Sequence, residues 1–127
     1  MSVRPGNNRR FSAGERVKSV GYALSGIQSI FKTEHNMWIH LAATAGVTVL
    51  AFLLRVTGIE AVALVFAIGL VWVTEILNTV IEKAMDFISP EKHPLVKRIK
   101  DMSAAAVLVA SITALITGGI IIIPKIL

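Results

Sequence analysis

Glu75, Asn78, Glu82 and Asp86 set three carboxylic acids and a carboxamide along a segment that is otherwise apolar over residues 61–81. At about 100° per residue of an α-helix, these four positions fall within an arc of roughly 80°, so one helix face would carry all of them. An acid inside a bilayer costs roughly 2.5 to 3.5 kcal/mol on insertion scales, and such residues mark chemistry or transport more often than architecture. Glu75 lies about two turns deeper than Glu82, in a drier place that suits proton abstraction. Glu34, Glu82, Asp86 and Asp101 sit at the inner ends of apolar segments and would share one interfacial layer if those segments were antiparallel neighbours. Hard divalent cations such as Mg²⁺ prefer carboxylate oxygens and keep waters and substrate phosphates as further ligands. Lys100 and the neighbouring loop cations would then meet phosphate.

The elements that must position these groups are membrane spans. The chain has 127 residues, 54% hydrophobic and 17% charged, which sets it apart from ordinary soluble domains and reads as one domain over residues 1–127. Three stretches with little or no charge, about residues 37–54, 61–81 and 102–124, are the expected transmembrane helices. The first two are short or interrupted and need tilt or shielding by neighbours. Eleven of the thirteen Lys and Arg precede the first span or lie between the second and third, leaving only Arg55 and Lys125. The positive-inside rule then puts the N-terminus and residues 83–101 in the cytoplasm. Topology thus accounts for the net charge of +5 without nucleic acid as a partner. The absence of cysteine excludes disulfides and thiolate metal sites. Without an early apolar region or a small-residue cleavage site, the chain is expected to begin, mature, at Met1.

Residues 1–11 read as a flexible basic arm near anionic headgroups. Ser12 and Glu15 form a Ser-x-x-Glu capping box that starts a helix over residues 12–32. Val17, Val20, Leu24, Ile27 and Phe31 recur on one face of it, the pattern of an amphipathic helix lying on the membrane surface. Residues 56–60, with Gly58, form a short outer turn, and residues 89–100 an inner loop in which Pro90 and Pro94 block a continuous helix. In the third span Ala106, Ala110, Ala114 and Gly118 recur every four residues, a small-residue ridge on which another helix can pack closely.

Several of these residues also have structural readings. Asn78 by itself is more often an interhelical hydrogen-bonding residue. Asp101 beside Lys100 could be a helix N-cap with a surface ion pair. His35, His40 and His93 share no metal-ligand spacing, and His40, inside a span, is better explained as packed or hydrogen-bonded. Glu15 is accounted for by its capping box. Gly21 and Gly26 have the outer spacing of a P-loop, but Ile27 stands where that loop needs lysine. The residues alone therefore point to a membrane protein with an acidic site at the cytoplasmic face. A small proton-coupled transporter using Glu75 is the alternative, although it would not need acids and Lys100-Asp101 clustered at one face.

The run Glu75-Ile-Leu-Asn78-Thr-Val-Ile-Glu82-Lys-Ala-Met-Asp86, followed by Lys100-Asp101-Met-Ser-Ala-Ala-Ala-Val, closely resembles the signature of the prokaryotic diacylglycerol kinase family. The likeness runs from about Lys18 to the end and includes Gly21-Tyr22, Gly26 and Lys32-Thr-Glu34. It implies an all-α integral membrane fold of a surface helix and three transmembrane helices, assembled as a homotrimeric bundle in the bacterial inner membrane with sites shared between subunits. The implied activity is ATP- and Mg²⁺-dependent phosphorylation of a lipid hydroxyl, either diacylglycerol or undecaprenol. Residue by residue, the resemblance implies Glu75 as general base and Glu34 and Glu82 as Mg²⁺ ligands. Tyr22, Glu34, Glu82, Glu91, Lys92, His93, Lys100 and Asp101 would line the nucleotide site, with Asn78 and Asp86 completing the polar face. Where some relatives have an arginine near the start of the surface helix, this chain has Glu15 with Arg16 adjacent. His93-Pro94-Leu95 and Ile123-Pro124-Lys125 look more like the undecaprenol-using branch.

Overall fold

The computed structural model describes residues 11–127. The expected arm over residues 1–11 lies outside them apart from Phe11, over whose ring the Arg16 guanidinium sits at 5.6 Å. The described residues form four helices in two units, one ending at His35 and the other spanning Asn36–Leu127.

In the first unit, α1 (Ala13–Thr33) begins where the Ser12 hydroxyl accepts the Glu15 N–H at 3.4 Å. It ends where the Glu34 N–H donates to the Ile30 carbonyl at 2.8 Å. No residue of α1 is buried.

In the second unit, α2 (His35–Leu53) keeps its hydroxyls satisfied within the helix, since Thr44 and Thr48 donate to the carbonyls of His40 and Thr44, each at 2.7 Å. Such back-bonding lets threonine sit in an apolar span without an orphan donor. The turn after α2 is made by Arg55, at φ 53°, in the left-handed region that usually favours glycine. Gly58, expected to shape this turn, has no positive φ and instead opens α3 (Gly58–Ile88). That earlier start follows from a complete capping box: the Thr57 hydroxyl accepts the Glu60 N–H at 3.2 Å, and the Glu60 carboxylate accepts the Thr57 N–H at 3.1 Å.

The expected loop over residues 89–100 is shorter than the sequence suggests. The α4 helix (Pro94–Ile126) starts at Pro94, whose missing N–H costs nothing at a first helical position, and His93 caps it by accepting the Leu95 N–H on Nδ1 at 3.0 Å. Asp101 therefore lies two turns inside α4 and is not its N-cap. Helices of 31 and 33 residues are about 47 and 50 Å long, beyond a hydrocarbon core of roughly 30 Å. Their polar ends project past it. Among the described residues three helices, α2, α3 and α4, are long and apolar enough to cross a membrane. Phe52, Val65, Phe66, Leu115 and Ile120 are among the large side chains they expose, as hydrocarbon contact requires.

Within this unit α3 and α4 are antiparallel and closely packed. Lys125 Nζ meets Glu60 Oε1 at 3.1 Å at one end, and Lys100 Nζ meets Asp86 Oδ1 at 2.5 Å at the other. The small-residue ridge of α4 is only partly as the sequence suggests. Ala110 is 2% exposed and Ala114 and Gly118 are half-buried, but Ala106 is exposed. A strict four-residue row drifts about 40° per step around a helix. The buried face instead follows Ser103, Val107, Ala110, Ala114, Gly118 and Ile121, in steps that mix threes with fours. Much of the ridge is thus used inside the subunit.

Candidate active site

Leu64, Ala67, Glu75, Asn78 and Thr79 are the buried residues of α3, so the helix that buries aliphatic side chains in its first half buries polar ones in its second. Glu75 is 7% exposed. Its Oε2 lies 3.4 Å from Nε2 of His40 on α2. One turn back, the Trp72 indole N–H donates to the Thr44 hydroxyl at 2.9 Å, and the His40 and Trp72 rings are tilted against each other with centroids 6.2 Å apart. His40 and Thr44 are four apart on α2, while Trp72 and Glu75 are three apart on α3. Two same-face spacings thus meet as a polar clasp between antiparallel helices. Sequence reasoning places His40 as packed or hydrogen-bonded, and the ion-pair distance to Glu75 agrees; it misses Thr44 and Trp72, whose signal is that same-face spacing.

One turn beyond Glu75, the Asn78 carboxamide donates to Glu82 Oε1 at 3.4 Å, while its Oδ1 is buried and accepts no hydrogen bond. Glu82 is half-buried. A turn further on, Asp86 is exposed and paired with Lys100 across the helix pair. Lys97 donates to Asp101 at 2.6 Å, so the ion pair read for Asp101 exists, but with Lys97 in place of Lys100. Both residues precede the apolar part of α4, and the hydrogen bond holds the Lys97 ammonium above its ordinary lysine value. Lys97 therefore stays charged throughout the neutral range.

The loop after α3 and the first turns of α4 enclose a cleft of about 650 Å³, lined among others by Asp86, Glu91, Lys92, His93, Lys100 and Asp101. The structure therefore gathers five of the expected nucleotide-site residues with Asp86 in one cleft. It puts Glu75, Asn78 and Glu82 on the same face of α3. Tyr22, exposed, and Glu34, the C-cap of α1, belong to the first unit.

Among the described residues no three His, Asp or Glu side chains converge as a metal-binding group. The donors at hand are oxygens: the Glu82 carboxylate and the unpartnered Asn78 Oδ1. That set fits Mg²⁺, which takes one or two protein carboxylates and completes its shell with waters and substrate phosphates.

The prokaryotic diacylglycerol kinase family matches residues 21–122 of the chain. The chain is 38% identical over 108 residues to an undecaprenol kinase of Bacillus subtilis, covering 85% of this chain and 88% of that protein. It is 38% identical over 106 residues to the diacylglycerol kinase of Escherichia coli K12, covering 84% and 87%. It is 36% identical over 110 residues to a diacylglycerol kinase of Synechocystis, covering 86% of this chain and 63% of that longer protein. With a polar face that begins at the buried Glu75 along one spanning helix and a match across most of its length, the chain belongs to the prokaryotic diacylglycerol kinase family. It is accordingly a membrane-embedded phosphotransferase that acts on an alcohol group.

Proposed function

We propose that this protein transfers the γ-phosphoryl group of ATP to the hydroxyl of a membrane lipid, either diacylglycerol, giving phosphatidate, or undecaprenol, giving undecaprenyl phosphate. One observation carries the reading: the α3 face runs from a buried acid, Glu75, through the Asn78–Glu82 pair to a charged cleft beyond the apolar segment. A lipid hydroxyl and a soluble nucleotide approach from different depths, and this order of groups suits both.

In this mechanism Glu75 takes the proton of the lipid hydroxyl. The alcohol oxygen forms its bond to the γ-phosphorus as the bond from that phosphorus to the ADP oxygen breaks. Glu82, with Glu34 and the Asn78 carbonyl oxygen, would hold Mg²⁺, which when bound neutralises charge across the phosphates. Tyr22, Glu91, Lys92, His93, Lys100 and Asp101 would line the nucleotide site, with Lys100 supplying positive charge beside Asp86. The likeness of His93-Pro94-Leu95 and Ile123-Pro124-Lys125 to the undecaprenol-using branch leans the reading toward undecaprenol as acceptor.

The working form is proposed as a homotrimer in the bacterial inner membrane, with the N-terminus and residues 83–101 cytoplasmic. The distribution of Lys and Arg supports that orientation. The exposed Ala106 of the small-residue ridge supports assembly through α4.

Glu75→Gln and Glu82→Gln test the division of roles. Loss of a general base costs about 10² to 10⁴ in rate, so Glu75→Gln should collapse kcat while direct ATP binding changes little. Glu82→Gln should instead raise the Mg²⁺ and ATP requirement. Near-normal lipid phosphorylation by Glu75→Gln would remove it as the base and make Asp101 the next acid to examine.

A further inference from the structure

We propose that His40 is the positioning residue for Glu75: its imidazole holds one carboxylate oxygen so that the other is presented to the lipid hydroxyl. The inference rests on Glu75 being the base, as proposed above. His40 Nε2 lies 3.4 Å from Glu75 Oε2, and Glu75 has no other ion-pair partner among the described residues. A buried carboxylate bonded to nothing would rotate and pay for its burial unaided.

The helix turn that carries the imidazole is itself tied to α3. The Thr44 hydroxyl donates to the His40 carbonyl at 2.7 Å and accepts the Trp72 indole N–H at 2.9 Å, and the Trp72 ring stands beside the imidazole at 6.2 Å. These contacts tie the α2 turn carrying His40 to the α3 turn carrying Glu75. Next to the clasp lies a cavity of about 290 Å³ lined mostly by apolar residues, including Ala67, Val71, Ala114 and Gly118. Beyond His40, Thr44 and Trp72, its only hydrogen-bonding side chain is Ser111 of α4. Among the titratable groups described on α2, α3 and α4, His40 and Glu75 are the pair that meet here.

During transfer, Glu75 receives the hydroxyl proton on its other oxygen, and His40 takes no part in the proton transfer. Its role is geometric, and a displacement of about 1 Å in a reacting group can cost about 10² in rate.

The test uses the full chain in mixed micelles with ATP, Mg²⁺ and diacylglycerol or undecaprenol. His40→Leu should lower kcat by about 10- to 100-fold with KM for ATP nearly unchanged. His40→Gln, which keeps a donor at similar reach, should restore a large part of that loss and guards against a folding defect. Independently of turnover, infrared difference spectra of each protein against its Glu75→Gln counterpart isolate the Glu75 carboxylate band. That band should shift in His40→Leu and lie near the wild-type position in His40→Gln. A wild-type kcat in His40→Leu, an equal loss in both variants, or an unshifted carboxylate band would each overturn the proposal. If the wild-type protein phosphorylates no lipid, the proposed function fails, whereas the infrared comparison still decides whether His40 holds Glu75.

Discussion

Ala110→Leu puts the packing of α3 against α4 to a quantitative test. Ala110 is 2% exposed on the α4 face that also buries Ser103 and Ile121. Leucine there adds three carbon atoms where two backbones already approach closely, and overpacking of this kind costs about 1 to 3 kcal/mol. In water part of that cost would be offset by about 0.8 kcal/mol for each buried methylene. In a membrane the offset disappears, because lipid tails are as apolar as leucine. The whole penalty should therefore appear as a shift of roughly 5- to 150-fold toward the unfolded form. Ala106→Leu, on the same helix but exposed, should stay within about 0.5 kcal/mol of the parent. Both are read from the midpoint of dodecyl sulfate unfolding in mixed micelles, followed by the fluorescence of Trp38 and Trp72. Working at high dilution in detergent keeps subunit assembly from contributing. An unchanged midpoint for Ala110→Leu, or a larger loss for Ala106→Leu, would refute this packing of α4 on α3.

Lys100→Met removes the ammonium that meets Asp86 at 2.5 Å and should raise the Kd for ATP about ten- to a hundredfold, the worth of a charge-assisted hydrogen bond. Equilibrium binding of a fluorescent ATP analogue measures this, and unchanged binding would take Lys100 out of the nucleotide site. Single cysteines at Thr57 and Ser89, the two caps of the 31-residue α3, should react with an impermeant thiol reagent from opposite faces of the membrane. Labelling of both from one face would exclude the three-span topology.

The polar face of α3 was legible because its signal is local: acids and an amide at spacings of three and four stand out in an apolar run. The spans were legible for the same reason, but their ends were not. The α3 helix runs back to Gly58 because Thr57 and Glu60 cap each other, a box as readable as that of Ser12 and Glu15 but masked by the turn-like Gly58. The α4 helix runs back to Pro94 because a proline that blocks a helix interior is favoured at its first position. The partners of buried groups were the least legible. Nothing in the sequence sets His40 opposite Glu75, or Asp86 opposite Lys100, until the antiparallel register of the helices is known. Ala106 shows the converse limit, since a row of small residues gives no indication of where helical drift takes it out of the interface.

The most direct test of lipid kinase activity is the transfer of radiolabel from γ-labelled ATP to lipid by the purified full chain in mixed micelles with Mg²⁺. Diacylglycerol and undecaprenol are offered in separate reactions, with Glu75→Gln run alongside. Label should enter the organic phase as phosphatidate or undecaprenyl phosphate with the parent protein and fall by about 10² or more with Glu75→Gln. No labelled lipid from either acceptor, with the protein shown to be folded and nucleotide-bound, would contradict it.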